Sequence, residues 1–402
     1  MKVSSCRGHQ AAMPLTGRTI VCLATQEWGA HWSVAQQVAS RLAPENRVIY
    51  VEPFHPPFAW LRNKHRVLRQ YRDSQFPQIR EVQPGIIVYQ PRFPYLPGNM
   101  RVPLAYGING VLYRRELQSM MRKLEVEKPI FWAFFAQSLV VSTFGCDLFV
   151  YDCVDDWPSF FSVPVERSWV ERVDLALTRR ADIVFAGSQP LADKKAGQSK
   201  NIHVVNHAAD VDHFLKASAP ETIVPADIDK LPRPRIGFVG MIDSLRFDAG
   251  LIARLAQNPT YQIVIVGGFM NGAERLIPTL PNIHVLGMKS VPDLPGYIKG
   301  MDVCVMPYLV NETTRYIFPL KLFEYLASGK PIVATPIPAV QQHADFIYVG
   351  RTADEIAALV DEALHENPAE QARRQKHAAA HDWNAHIRRK AELVKGLTAT
   401  IN

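Results

Sequence analysis

The segment Asn311 to Thr335, NETTRYIFPLKLFEYLASGKPIVAT, constrains the fold of this chain more than any other. It reads as a loop, a short helix and a buried strand in close succession. Pro319 suits the first turn of a helix, where its missing N–H is no loss. Gly329 suits the helix end, which is commonly left-handed and open to glycine without steric cost. The apolar run Pro331 to Ala334 then reads as a strand. Backbone N–H groups at the Pro319 end face outward at the positive pole of the helix dipole, the arrangement that binds a diphosphate. Glu324, further along the same helix, offers a carboxylate that can accept two hydrogen bonds from a vicinal diol such as a ribose.

The rest of the chain repeats the α/β theme. Thr19 to Ala24 reads as a strand, Ser33 to Leu42 as a helix and Arg47 to Glu52 as a second strand. The runs Gly85 to Gln90, Pro129 to Ala133, Leu148 to Asp152 and Ile183 to Ala186 are further short apolar strands. Such alternation implies a parallel sheet. The loop TQEWGAHWS has one glycine, Gly29, and no G-x-G-x-x-G, which disfavours a dinucleotide cofactor. A stretch rich in proline and alanine, 216–234, reads as a linker, after which Arg235 to Val239 and Tyr261 to Val266 begin a second Rossmann-like unit. With 402 residues and 48% hydrophobic content, the chain can fill two cores.

Together these residues resemble GT-B glycosyltransferases, whose donor-site signature is E-x7-E followed by a small-residue helix and G-x-P-[IV]-[IV]-[AS]. Glu324 matches the second glutamate, and Tyr316 stands in place of the first. Phe318, Pro319 and Leu320 match a Phe-Gly-Leu whose backbone amides hold the diphosphate; the proline removes one donor, and Lys321 is expected to supply positive charge there. NIHVVNHAADVDHF (201–214) resembles the family's P-N-G-V-D-x-x-x-F turn. The D-x-D at Asp210 and Asp212 is not read as a GT-A metal site, because the phosphate site lies a hundred residues later on a helix. YDCVDDW and the Pro319 segment are closest to enzymes of teichuronic acid and exopolysaccharide synthesis in glycosyltransferase families 1 and 4. The resemblance implies an α/β GT-B fold, two Rossmann-like domains with parallel sheets facing across a cleft. The expected boundaries are a disordered leader 1–17, an acceptor-side domain 18–215 completed by the C-terminal helix 385–402, the linker 216–234 and a donor-binding domain 235–384.

The resemblance also distributes roles. Gly240 and Met241 open a donor loop containing Arg246, which with Arg315 can fork onto phosphate oxygens. Gly287, Met288 and Lys289 are expected to hold the nucleobase through main-chain atoms. Trp28, Gly29 and His31 are acceptor-side candidates, while Trp32 is read as core. Asp155 is the first choice and Asp156 the second for a base that takes the acceptor proton, or for a carboxylate that orients the sugar; at least one of them is expected to cap the helix before Pro158. The histidines are read as lacking an H-x-x-x-H or H-E-x-x-H pair, and no metal or cofactor is expected.

Five cysteines with no C-x-x-C suggest neither a disulfide framework nor zinc, and a cytoplasmic setting is expected. No apolar run reaches membrane-span length and no signal peptide is read. The net charge of +7 needs a partner. Arg62, Lys64, Arg66, Arg69 and Arg72 lie among apolar residues, and Arg114, Arg115, Arg122 and Lys123 lie on a second helical stretch. Basic amphipathic helices suit an anionic membrane surface. The expected partners are therefore a nucleotide-sugar donor, UDP-linked and with a hexuronic acid as one candidate, a polyprenyl-diphosphate-linked acceptor and the inner face of the cell membrane. No recognition helix, zinc or RNA-binding signature speaks for nucleic acid. A catalytically silent scaffold and a GT-B-type epimerase are the competing readings.

Overall fold

The structure is a computed structural model that describes residues 13–29, 32–53, 78–92, 96, 101–135, 144–270 and 272–401. It divides into two compact units. The first comprises 1–186, 195–205 and 387–402, and the second 187–194 and 206–386.

The first unit is built on β1 (Thr19–Leu23), β2 (Arg47–Val51), β3 (Ile79–Gln83), β4 (Ile86–Tyr89), β5 (Ile130–Ala133), β6 (Leu148–Cys153), β7 (Ile183–Ala186) and β8 (Ile202–Val204). They lie in the order β3-β4-β2-β1-β5-β6-β7-β8. Every pair is parallel except the β3–β4 edge, which is antiparallel. Every residue of β5, β6 and β7 is buried, as continuous apolar strands of a sheet covered on both faces must be.

The second unit carries β9 (Arg235–Val239), β10 (Gln262–Val266), β11 (Ile283–Gly287), β12 (Val303–Met306), β13 (Ile332–Ala334) and β14 (Tyr348–Val349), ordered β11-β10-β9-β12-β13-β14 and all parallel. Numbered within the unit, this is the doubly wound order 3-2-1-4-5-6. Alternate residues feed opposite faces. Val239, Val264, Val266, Cys304 and Met306 join the helices Leu294–Gly300 and Leu320–Ser328 in one core. Ile236, Phe238, Ile263, Ile265 and Val305 pack with Ala249–Leu255 and Ala353–Ala363 in the other. The chain order reverses between β9 and β12, so their carboxyl ends open a crevice where ligands of such sheets bind.

Several expectations need correction. The leader read through residue 17 does not extend that far: Leu15 is buried, its carbonyl accepts from Asn46 Nδ2, and Gly17 N–H donates to Glu45 O. The stretch 216–234 is not a free linker. It forms a short helix at Ala226–Asp229, and Ala217 and Ile228 are buried in the second unit's core with Val224 and Leu231 against them. The passage between units falls instead at 205/206, and the return at 386/387 lies inside the helix Trp383–Ile401. The β3, β8 and β14 strands had not been read. They are two to five residues long and sit at sheet edges, where half-exposed residues blur the apolar pattern.

Candidate functional site

The second unit's crevice is made by glycines first. Gly240 follows β9 and donates to Val266 O (2.9 Å), and a Cβ on Gly267 would fall 1.8 Å from the Gly240 carbonyl oxygen. Only glycine lets the ends of β9 and β10 approach this closely. Met241 lies alongside, its methyl 3.2 Å from where a Cβ on Gly268 would be. The loop then turns on Asp243, a buried carboxylate that accepts from the N–H groups of Leu245 (3.0 Å) and Arg246 (3.1 Å) and from Arg246 Nε (2.6 Å). Arg246 is thereby aimed by its own loop. Asp248 caps the next helix through Leu251 N–H.

This loop is fastened to the end of β12. Asp248 N–H donates to Pro307 O, Leu309 N–H to Arg246 O, and Asn311 Nδ2 to Leu245 O. Tyr308 therefore sits beside it, and burial pushes its hydroxyl up to about 12, Arg246 pulling the other way while Asp243 and Glu324 add to the rise. Tyr308 was not singled out from the sequence, because the run VCVMPY reads as a strand end.

Leu320–Ser328 is the helix expected from the sequence, ended by Gly329 in the left-handed conformation (φ +76°). Pro319 occupies the N-cap and not the first turn; its extended ψ of 123° starts the helix one residue later than expected. The N–H groups of Leu320 and Lys321 have no preceding turn to bond. Lys321 pairs with the Glu324 carboxylate, and both side chains are largely buried (19% and 13% exposed). Phe318 is core: its ring stacks on Phe323 at 5.4 Å and its carbonyl bonds His207 Nδ1, so it offers the crevice only its main chain. Tyr316, where the family signature has glutamate, bonds Ser188 Oγ through its carbonyl and lies under Lys194 Nζ (4.7 Å) and the exposed Arg315 (5.8 Å). An aromatic face serves these two cations in place of a carboxylate.

Gly287 ends β11 with φ +71° and accepts from Gly267 N–H, and Met288 beside it is 52% exposed. Lys289 Nζ is bound to Asp227 (2.7 Å), and this bond, with the Tyr297 hydroxyl, raises its pKa. That pairing holds the Lys289 side chain, whereas its main chain stays at the strand end.

In the first unit, Asp155 and Asp156 follow β6. Asp155 is half-buried and accepts from Trp157 N–H through its carbonyl. Asp156 is buried and holds the N-cap position of the turn Trp157–Phe160; the capping bonds, from Ser159 N–H and Oγ, go to its carbonyl, not to the expected carboxylate. The nearby Asp152 is fully engaged in the core: Lys390 Nζ donates to both carboxylate oxygens (2.8 and 2.6 Å) and Trp132 Nε1 to one (3.0 Å). Lys390 was missed, although Ile387, Ala391 and Val394 mark it as a lysine inside an apolar helical stripe. Trp28 packs edge-on against Tyr50 (5.0 Å) and Trp32 (5.6 Å), and its backbone N–H donates to the Glu52 carboxylate. Gly29 is exposed with φ +85°, and Trp32 is 38% exposed, which corrects its assignment to the core. His31 and the basic residues from Arg62 to Arg72 lie outside the described residues.

One sequence expectation on histidines also fails: His377-Ala-Ala-Ala-His381 is an H-x-x-x-H pair, and His343 joins it in space.

The geometry can be set beside known proteins. Residues 233–366 match the family model described as Glycosyl transferases group 1, which makes the second unit a glycosyltransferase domain and the chain an enzyme of the glycosyl-transferring class. The Bacillus subtilis (strain 168) protein TuaH, whose name carries the words teichuronic acid biosynthesis glycosyltransferase, is 28% identical over 308 residues, 69% of this chain and 76% of TuaH. Sucrose-phosphate synthase from Thermosynechococcus elongatus superposes with a TM-score of 0.70 at 18% identity, over 95% of this chain and 100% of that one. Anabaena Alr3699/HepE in complex with UDP-glucose gives 0.66 at 16%, over 95% and 99%. The fold is GT-B, as the resemblance implied.

Proposed function

We propose that this chain transfers a sugar from a UDP-linked donor to a polyprenyl-diphosphate-linked acceptor in cell-surface polysaccharide synthesis. One observation carries the donor half: at the carboxyl ends of β9 and β12 the loop that bears Arg246 is bonded to Pro307, Leu309 and Asn311, and the helix Leu320–Ser328 that bears Glu324 is fastened there by the Tyr325 hydroxyl, which accepts from Val239 N–H (2.7 Å). Glu324 takes the ribose diol. Leu320 and Lys321 N–H groups and the Arg246 guanidinium take the diphosphate, and the ends of β11 and its loop at Gly287 and Met288 take the base. The acceptor oxygen bonds to the anomeric carbon as the bond to the diphosphate oxygen breaks, and the electron pair leaves with UDP. Asp155 receives the acceptor proton, and Trp28 offers an aromatic face to the acceptor. The UDP and UDP-glucose complexes among the structural relatives support the choice of donor class. TuaH supports the polysaccharide setting through its name.

Attachment to the inner leaflet is part of the proposal. Among the described residues no helix is long and apolar enough to cross a membrane. Helix Pro103–Lys123, however, exposes Leu104 (73%), Ile108 (39%) and Val111 (52%) one above another, with Arg114, Arg115, Arg122 and Lys123 exposed further along. An apolar stripe bordered by cations suits an anionic lipid surface.

A thermal-shift series with UDP, GDP, ADP and their sugars tests the donor site, since a ligand of the folded state raises the melting temperature. Stabilisation by UDP that disappears in Glu324→Ala is the expected result. No response to any nucleotide would favour the silent scaffold; product formation without an acceptor, as a change in the donor sugar itself, would favour the epimerase.

A further inference from the structure

A cluster of imidazoles lies in the second unit against the Leu320–Ser328 helix. His343 follows the short helix Pro338–Gln341, His377 is in the last turn of Ala369–Ala379, and His381 comes one turn later. Aromatic rings hold all three. His381 stacks on Phe323 (4.1 Å, 12°), His377 stacks on Phe346 (3.9 Å, 11°), and His343 stands edge-on to Phe323 (5.2 Å, 80°). One ring nitrogen from each lies within 4.8 Å of the other two, and His343 Nδ1 is 2.9 Å from His377 Nε2. His343 is only 8% exposed, and its Nε2 and the Nδ1 of His381 are buried with no hydrogen-bond partner.

We propose that His343, His377 and His381 form a binding site for a transition-metal ion of the zinc class. Buried polar atoms are almost always satisfied, and a ring nitrogen without a partner in a cluster of imidazoles, the Nδ1 of His381, is open to a metal ion. Imidazole suits zinc, copper and nickel, and the turn that follows the helix brings the His381 ring to 5.1 Å from that of His377. Zinc–nitrogen bonds of 2.0–2.1 Å in a tetrahedron put ligand atoms about 3.4 Å apart. Metal entry therefore opens the 2.9 Å pair slightly and draws the widest pair inward, movements that ring rotations supply. Three nitrogens leave a fourth position for water. The ion would tie His343 to the C-terminal segment directly against Phe323, on the helix that carries Glu324, and would act as a staple of that helix, away from the reacting groups.

The full chain, stripped with a chelator and exchanged into chelator-free buffer, is titrated with Zn2+ by calorimetry and with Co2+ by visible absorption. One equivalent should bind, with a four-coordinate cobalt spectrum and a raised melting temperature. His377→Phe and His381→Phe keep the stacking on Phe346 and Phe323 but lose a ligand, and each should weaken binding by at least about tenfold. His365→Ala, an exposed histidine elsewhere, should leave it unchanged. Binding equal to the parent in both phenylalanine variants would overturn the proposal. So would a stripped parent that neither binds nor is stabilised by equimolar Zn2+, Co2+ or Ni2+, a result that needs no variant to fold; the imidazoles would then be packing alone.

Discussion

Replacing Lys390 with methionine removes one half of an ion pair in which both side chains are almost fully buried (3% and 2% exposed). The methionine fills similar volume, so the loss is electrostatic. The Asp152 carboxylate keeps the Trp132 Nε1 bond and loses two charge-assisted bonds of 2.6 and 2.8 Å. Stranding one charge of a buried pair costs about 3–5 kcal/mol. In a unit of this size each kcal/mol moves the melting temperature by about 2–4 °C, so the first unit should melt roughly 6–20 °C lower. The informative partner is the double variant Asp152→Asn with Lys390→Met, which removes both charges and keeps an acceptor for Trp132 Nε1. Such replacements are often neutral or stabilising, so the double variant should recover most of the stability. Denaturant unfolding of the parent, the two single variants and the double variant yields the coupling energy. Lys390→Met within about 1 kcal/mol of the parent, or a double variant no better than the worse single one, would refute the claim that the pair is a charge-balanced unit.

Other outcomes follow from the same structure. Gly267→Ala pushes a methyl to within 1.8 Å of the Gly240 carbonyl oxygen. A displacement of β9 from β10 should result, lowering stability by about 2 kcal/mol or more and abolishing the UDP thermal shift. Arg246→Lys keeps the charge but loses the planar fork that both Asp243 and a diphosphate use, and should weaken UDP binding by about tenfold with little change in melting temperature, as read by titration calorimetry. Leu104→Asp combined with Val111→Asp should abolish flotation with anionic vesicles at low salt while leaving nucleotide binding intact; unchanged flotation would remove the Pro103 helix as the docking face.

Much of the donor half was legible because the signals are local. Gly329 ends its helix where a glycine is needed, and Glu324 is carried by the helix its neighbours form. Tyr308 and Asp243 were less visible, because their roles come from chain segments far apart in sequence being laced together at the end of β12. The proline- and alanine-rich stretch 216–234 misled for a related reason: composition shows the absence of long regular elements, not the absence of packing, and Ile228 is buried all the same. The His377–His381 spacing was present in plain letters, but its third member, His343, is 34 residues away from His377. Tyr316 stands where the resembled signature has glutamate, and its contact with two cations is something only the fold displays.

The Asp152–Lys390 pair also sets a clock during synthesis. The two residues are 238 positions apart. At a translation rate of about 5–20 residues per second, Asp152 waits roughly 10–50 s for its partner to be made. Through that interval β6 carries a carboxylate whose burial would be uncompensated, so closing the first sheet's core early is disfavoured. The second unit is wholly encoded within that interval and is free to fold first.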